Sequence, residues 1–292
     1  MKIVHSFWTK PYLSKGFNKF QGGWAEKKYY YLSWALSCLQ FRAFYDSVEL
    51  VTDAYGKYLL IDLMQLPYTS VRVELDSINH YHPDLWALGK TVAYSLQEEP
   101  FIHADGDVYI YKRLPDSLEH AALIAQHEEV DFPYYRPHYE AMAAAFDYIS
   151  PCMLADREDD GIFRSYCAGL LGGQNHGFFK QYREEVFALL DRNQQHLEKL
   201  QVTNLNVIFD QYLFYCLARQ ENIPVSTFAQ NVEMGFEAFT DFTGIPHRQT
   251  YVHPVDLFKK YKTKCELLAF RLRRDHPEYY YRTVHLLDVF AI

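Results

Sequence analysis

The sequence predicts an α/β protein built on a mostly parallel sheet. Apolar β-like runs alternate with longer helical patterns through the first half. No internal repeat or low-complexity tract interrupts them, and 49% of the 292 residues are hydrophobic, enough for one large core. Short strands separated by helices imply parallel neighbours joined by crossovers, and such a sheet is covered on both faces.

Taken in order, residues 2–8 read as a strand, about 24–44 as a helix and 48–53 as a strand. A helix at about 54–64, a strand at 70–75, a helix at about 84–98 and a strand at 100–104 follow. The second half is less regular. A strand at about 121–126 precedes an aromatic, proline-containing loop and a short helix at about 138–147, and 156–160 (Asp-Arg-Glu-Asp-Asp) reads as a solvated loop. Tyr166 to Asn175 form a strand of small residues ending in glycines, followed by helices at about 176–198 and 204–221. Residues 255–290 read as helical, with Pro277 separating two helices. The expected division is a sheet domain over 1–254 with a C-terminal helical extension, 255–292, packed on it.

The formal net charge of -8 argues against nucleic acid as a partner, because phosphate contacts need a basic face. Five scattered cysteines (Cys38, Cys152, Cys167, Cys216, Cys265) show no zinc-like spacing and suit isolated thiols in a reducing compartment. A strand pattern begins directly after Met1, and the most apolar helical stretch, 207–218, is short and contains Asp210. The expectation is a cytoplasmic protein. The last helices carry Lys259, Lys260, Lys262, Lys264, Arg271, Arg273 and Arg274 among aromatics. This reads as a solvated amphipathic face, with a weak peripheral membrane contact as the alternative.

The most informative stretch is Phe101 to Tyr111, an apolar strand broken by Asp105-Gly106-Asp107. In extended chain, residues two apart share a side, so His103, Asp105 and Asp107 face together. Paired carboxylates repel, and taking them out of water is costly unless a cation intervenes, for which Mg²⁺ or Mn²⁺ is suited. A tight Asp-Gly turn between two strands is the competing reading. The position past the end of a strand is where α/β sheets bind ligands. His103 is a candidate hydrogen-bond partner of an aspartate or a core histidine. His5, Ser6 and Phe7 offer polar edges and a stacking ring to a nucleotide pocket, and Thr52 and Asp53 end the next strand on the same rim. Helix capping or core packing competes for each of these.

The early α/β half, the Asp-x-Asp after a central strand, the later glycines and the Tyr251-Val252-His253-Pro254 element followed by Lys259-Lys260 together resemble nucleotide-sugar glycosyltransferases of the GT-A fold, a Rossmann-like, mostly parallel sheet flanked by helices. The glycogenin-like group is the nearest. The likeness extends to an uncharacterised bacterial family sharing the opening Lys-Ile-Val-His-Ser-Phe-Trp and the His-x-Asp-Gly-Asp-Val run, and it covers the chain to about residue 262. It implies a glycosyltransferase that moves a sugar from a nucleotide-diphosphate sugar, UDP-linked, to a hydroxyl of a glycan, lipid-linked glycan or peptide. It leans towards retention at the anomeric centre.

By the same resemblance Asp105 and Asp107 hold Mn²⁺ or Mg²⁺, with His253 completing the shell and Lys259 touching the diphosphate. The group's glycine and Lys-Pro-Trp ending are absent here. Lys90, in the helix before the metal strand, is implied as a further diphosphate contact, and an exposed helix lysine is the competing reading. Gly169 and Gly172 would let the donor sugar or acceptor approach the backbone, and a strand-to-helix turn competes. Asp210-Gln211 resembles an acidic–Gln pair near the acceptor, with Asp210 as hydroxyl partner or general base, against the solvent face of a helix. The segments 127–165 and 228–250 are expected to contact the acceptor. A nucleotidyltransferase-like enzyme lacks its N-terminal phosphate loop here, and a non-catalytic sugar-nucleotide-binding protein is the alternative from another class.

Overall fold

The computed structural model describes residues 1–14, 16, 21–230, 232, 237–289 and 292. The architecture is mixed α/β, a seven-stranded, mostly parallel sheet flanked by helices, as the alternating pattern predicts. Among the described residues the strands are β1 (Lys2–Phe7), β2 (Val48–Thr52), β3 (Ser70–Val73), β4 (Phe101–Ala104), β5 (Tyr109–Ile110) and β6 (Leu123–Ala125). They continue with β7 (Glu128–Val130), β8 (Arg164–Tyr166), β9 (Leu170–Gly173), β10 (Val225–Thr227) and β11 (Tyr251–Val252). The chain divides into two compact units: Met1–Ser77 with Ala104–Leu114 and Gly235–Ile292, and Ile78–His103 with Pro115–Met234.

In the first unit β2 lies between β1 and β3 and is parallel to both, with Ile3 opposite Val48 and Glu49 opposite Ser70. All five residues of β2 are buried, as a strand with two neighbours and two covered faces requires. Its one charge, Glu49, lies 3.9 Å from Lys2 Nζ and accepts a hydrogen bond from Ser70 Oγ at 3.3 Å. The helix Lys27–Phe44 is buried over most of its circumference. The C-terminal helices Lys262–Asp275 and Pro277–Asp288 pack against it, and Pro277 takes the first turn of the second.

Much of the basic surface expected on these last helices is engaged within the unit. Lys260 Nζ donates to the Trp24 carbonyl at 3.1 Å, Arg271 lies over Tyr111, and Arg274 forks onto Asp275. All five cysteines are buried, and none is in a disulfide among the described residues. Among the described residues, no helix is long and apolar enough to cross a membrane.

In the second unit the strand order is β10-β6-β9-β4, with β6 parallel to β10 and antiparallel to β9. The small residues of β9 have a steric cause. A Cβ on Gly172 would lie 2.2 Å from the Phe101 carbonyl oxygen, and one on Gly173 (φ +134°) 2.3 Å from that of Ala122.

Several boundaries differ from those expected. The helix placed at 84–98 is only Leu88–Ser95. The helices at 54–64 and 204–221 each contain a π-helical stretch, Tyr58–Leu63 and Ile208–Tyr212. Residues 156–160 do not form a wholly solvated loop. Asp156 ends the helix Pro151–Arg157, is buried, and binds Tyr212 Oη at 2.7 Å and Arg219 Nη1 at 2.7 Å. A buried carboxylate persists there because its partners neutralise it. The segment 228–250 lies partly outside the described residues.

Because backbone cannot yield to the new methyl group, Gly172→Ala is expected to cost roughly 2–3 kcal/mol or to prevent folding. Urea denaturation checks this, and an unchanged midpoint contradicts the packing described.

Candidate metal centre

Asp105, Gly106 and Asp107 form a turn after β4, in which the Val108 N–H donates to the Asp105 carbonyl at 3.0 Å. The strand reading of these three residues is therefore corrected, since a turn rather than extended pleating orients the carboxylates. Gly106 is required by packing: a Cβ there would lie 2.6 Å from the Trp34 ring.

The helix Lys27–Phe44 holds the turn from one side. Ser33 Oγ donates to the Gly106 carbonyl at 2.9 Å and lies 2.7 Å from the Tyr109 hydroxyl. One helical turn on, Ser37 Oγ donates to the Val108 carbonyl at 2.8 Å. These serines use the i, i+4 spacing of a helix to fix successive backbone groups. Sequence reasoning missed them, and the available signal was two hydroxyls on one face of an otherwise apolar helix.

The strand after the turn brings in the third residue of the group. β5 pairs antiparallel with β11, Val252 opposite Tyr109 and Tyr251 opposite Ile110. His253 thus emerges beside the turn, anchored by its own N–H to the Phe239 carbonyl at 2.7 Å. One ligand atom from each of Asp105, Asp107 and His253 lies within 4.8 Å of the others. His253 Nε2 is 3.3 Å from Asp107 Oδ1, and Lys259 Nζ pairs with Asp107 Oδ2. Lys259 sits in the 3₁₀ turn Asp256–Lys260, whose position is tied by the Ala25 N–H donating to the Lys259 carbonyl at 3.0 Å.

The Asp107 side chain is 14% exposed. Burial pushes its carboxyl pKa up, but the charge of Lys259 and the contacts of His253 outweigh burial and hold it well below the usual carboxylate range. Two carboxylate oxygens and one imidazole nitrogen are a donor set for a divalent ion such as Mn²⁺ or Mg²⁺.

The residues of the expected nucleotide rim are engaged in the fold of the first unit. His5 is fully buried, with Nδ1 2.8 Å from the Tyr68 hydroxyl and Nε2 3.4 Å from Ser37 Oγ. Phe7 is buried against Trp34, ring centroids 5.0 Å apart, and Ser6 is half-buried beside it in β1. Thr52 Oγ1 donates to the Phe7 carbonyl at 2.6 Å. Asp53 caps the helix Ala54–Lys57 by accepting from the Gly56 N–H at 2.7 Å, and its other oxygen accepts from the N–H and hydroxyl of Thr9, both at 2.7 Å.

In the second unit Lys90 and Asp210 form a buried ion pair, Nζ to Oδ2 at 3.0 Å, and Lys90 also lies 3.4 Å from the Ala168 carbonyl, one residue before Gly169. Neither side chain faces solvent in this unit, so the exposed-lysine and solvent-face readings are corrected. The Gln211 amide lies 2.6 Å from the Tyr135 hydroxyl. His103 is buried edge-on to the Tyr94 ring, 4.9 Å between centroids.

Burial pushes the His5 pKa down to about 3 against the opposing field of Asp107. The folded chain therefore refuses a proton that the unfolded chain takes up below about pH 6.5. Stability contributed by neutral His5 is present above that pH and is lost as pH falls towards 3, at up to about 1.4 kcal/mol per pH unit. His5→Gln should show a correspondingly shallower loss between pH 6 and 5 in urea titrations. An unchanged slope contradicts a neutral, buried imidazole.

No curated protein matches the chain in sequence. Among solved structures, the galactosyltransferase LgtC, crystallised in complex with donor and acceptor sugar analogs, is matched at 10% identity over 72% of this chain and 70% of that one, with a TM-score of 0.39. That likeness is too distant to bear on the chemistry. A family model described as "Family of unknown function (DUF6734)" matches residues 1–286, and the chain belongs to that family.

Proposed function

We propose that this protein is a divalent-metal-dependent glycosyltransferase of the GT-A type, moving a sugar from a UDP-sugar to a hydroxyl acceptor. The observation that carries the reading is the meeting of Asp105, Asp107 and His253, drawn from segments nearly 150 positions apart, with their ligand atoms within 4.8 Å. The motif resemblance supports it independently, since these three residues are the ones it implies as ligands.

The donor set fits Mn²⁺ or Mg²⁺, which when bound would neutralise the charge growing on a departing diphosphate. The rest of the chemistry belongs to the chain. Ser33 and Ser37 hold the carbonyls of the turn, so the carboxylates are oriented before any ligand arrives. Lys259 adds a positive charge at Asp107 and is assigned to the diphosphate oxygens.

The test is release of UDP or GDP from a panel of sugar nucleotides with Mn²⁺ supplied, comparing the intact chain with Asp105→Ala and Asp107→Asn. Each substitution is expected to lower turnover about 100-fold while the circular dichroism spectrum is retained. Chelation should abolish turnover in the intact chain. Failure of the intact chain to bind or cleave any donor overturns the proposal, as does undiminished turnover in both variants.

A further inference from the structure

A second group of metal-type donors lies in the second unit, on the ribbon formed by β7 and β8. Glu128 is opposite Tyr166 and Glu129 opposite Ser165 in an antiparallel register. Two further bonds extend the pairing, Cys167 N–H to the His127 carbonyl at 3.0 Å and Gln126 N–H to the Cys167 carbonyl at 3.1 Å. His127 therefore faces Cys167 across the ribbon. Residues two apart and residues directly opposed share a face, so His127, Glu129 and Cys167 project together. All three are buried, 0%, 2% and 6% exposed, and their donor atoms lie within 4.8 Å of one another.

The carboxylate is already oriented. Glu129 Oε2 accepts from the hydroxyls of Tyr134, at 2.7 Å, and Tyr135, which leaves Oε1 facing His127 Nε2 at 3.4 Å. The amide of Gln126 lies 3.3 Å from His127 Nδ1. Ligating carboxylates and histidines are held by such outer hydrogen bonds. A His–Glu pair has no need of a thiol at ligand distance from both members, whereas thiolate, imidazole and carboxylate together are zinc donors.

Charge makes the same selection. A thiolate and a carboxylate carry two negative charges, and a dipositive ion beside a neutral imidazole leaves a neutral set, the form that burial favours. The soft sulfur selects zinc over magnesium or calcium.

We propose that His127, Glu129 and Cys167 bind Zn²⁺, in a site that shares no ligand with the Asp105–Asp107–His253 group. Binding releases the Cys167 thiol proton to solvent. With the ion at Nε2 the imidazole carries its proton on Nδ1, and the Gln126 amide, whose Nε2 faces Nδ1 at 3.3 Å, turns over to accept that proton through Oε1. Three protein ligands leave the fourth tetrahedral position to water.

Co²⁺ is the probe, titrated into the full chain and followed by absorption. One equivalent should produce a thiolate-to-metal charge-transfer band with tetrahedral d–d bands, bleached by Zn²⁺. Cys167→Ser should abolish the charge-transfer band, Glu129→Gln should weaken binding at least 10-fold, and the Asp105→Asn/Asp107→Asn double variant should keep the band. Peptide-resolved alkylation of the intact chain with and without Zn²⁺ locates the thiol without any variant, with protection expected at Cys167 and not at Cys38, Cys152, Cys216 or Cys265. A spectrum without a charge-transfer band overturns the proposal, as does protection at another cysteine or at none. Loss of the band in the aspartate double variant would assign the ion to the other group and equally overturn it.

Discussion

The first unit depends on how the negative charge of Asp107 is accommodated. Its carboxylate is largely withdrawn from water, and an isolated charge in that position would neutralise by taking up a proton. Lys259 and His253 reverse that outcome and keep it ionised. Both come from the C-terminal part of the chain, so the chain must close on itself before the turn can carry its charge. The antiparallel pairing of β11 with β5 and the tie between Lys259 and Ala25 are the physical means of that closure.

The turn is equally constrained from beneath. Trp34 leaves room for glycine alone at position 106, and Ser33 and Ser37 take up the carbonyls of Gly106 and Val108. These contacts satisfy buried backbone groups that the turn would otherwise leave without partners. They also bond Ser37 to His5, so the start of β1 and the metal-type turn share one hydrogen-bonded chain running from Tyr68 to Val108. The orientation of the carboxylates is thus a property of the core.

The strands β1, β2 and β4 were legible because short apolar stretches, Ile3-Val4, Leu50-Val51 and Phe101-Ile102, recur between longer helical patterns. Asp105 and Asp107 were legible as chemistry because carboxylates are out of place in such a run, although their geometry is a turn rather than a strand. His253 was legible as a residue type only. Its position depends on pairing two-residue strands some 140 positions apart, and strands so short leave no periodicity to read. The burial of Asp156 and the pairing of Lys90 with Asp210 were hidden for a related reason: besides Arg157 beside it, Asp156 depends on Tyr212 and Arg219, and Lys90 on Asp210, partners far away in sequence.

In the reading proposed above, Asp105, Asp107 and His253 hold one divalent ion together. Electron spin-echo modulation of Mn²⁺ added at one equivalent to the intact chain tests it most directly, because the imidazole nitrogen leaves a coupling that oxygen ligands do not. Coupling to a single histidine nitrogen is expected in the intact chain, and its disappearance in His253→Ala. Bound Mn²⁺ without nitrogen coupling, or coupling unchanged in His253→Ala, would contradict it.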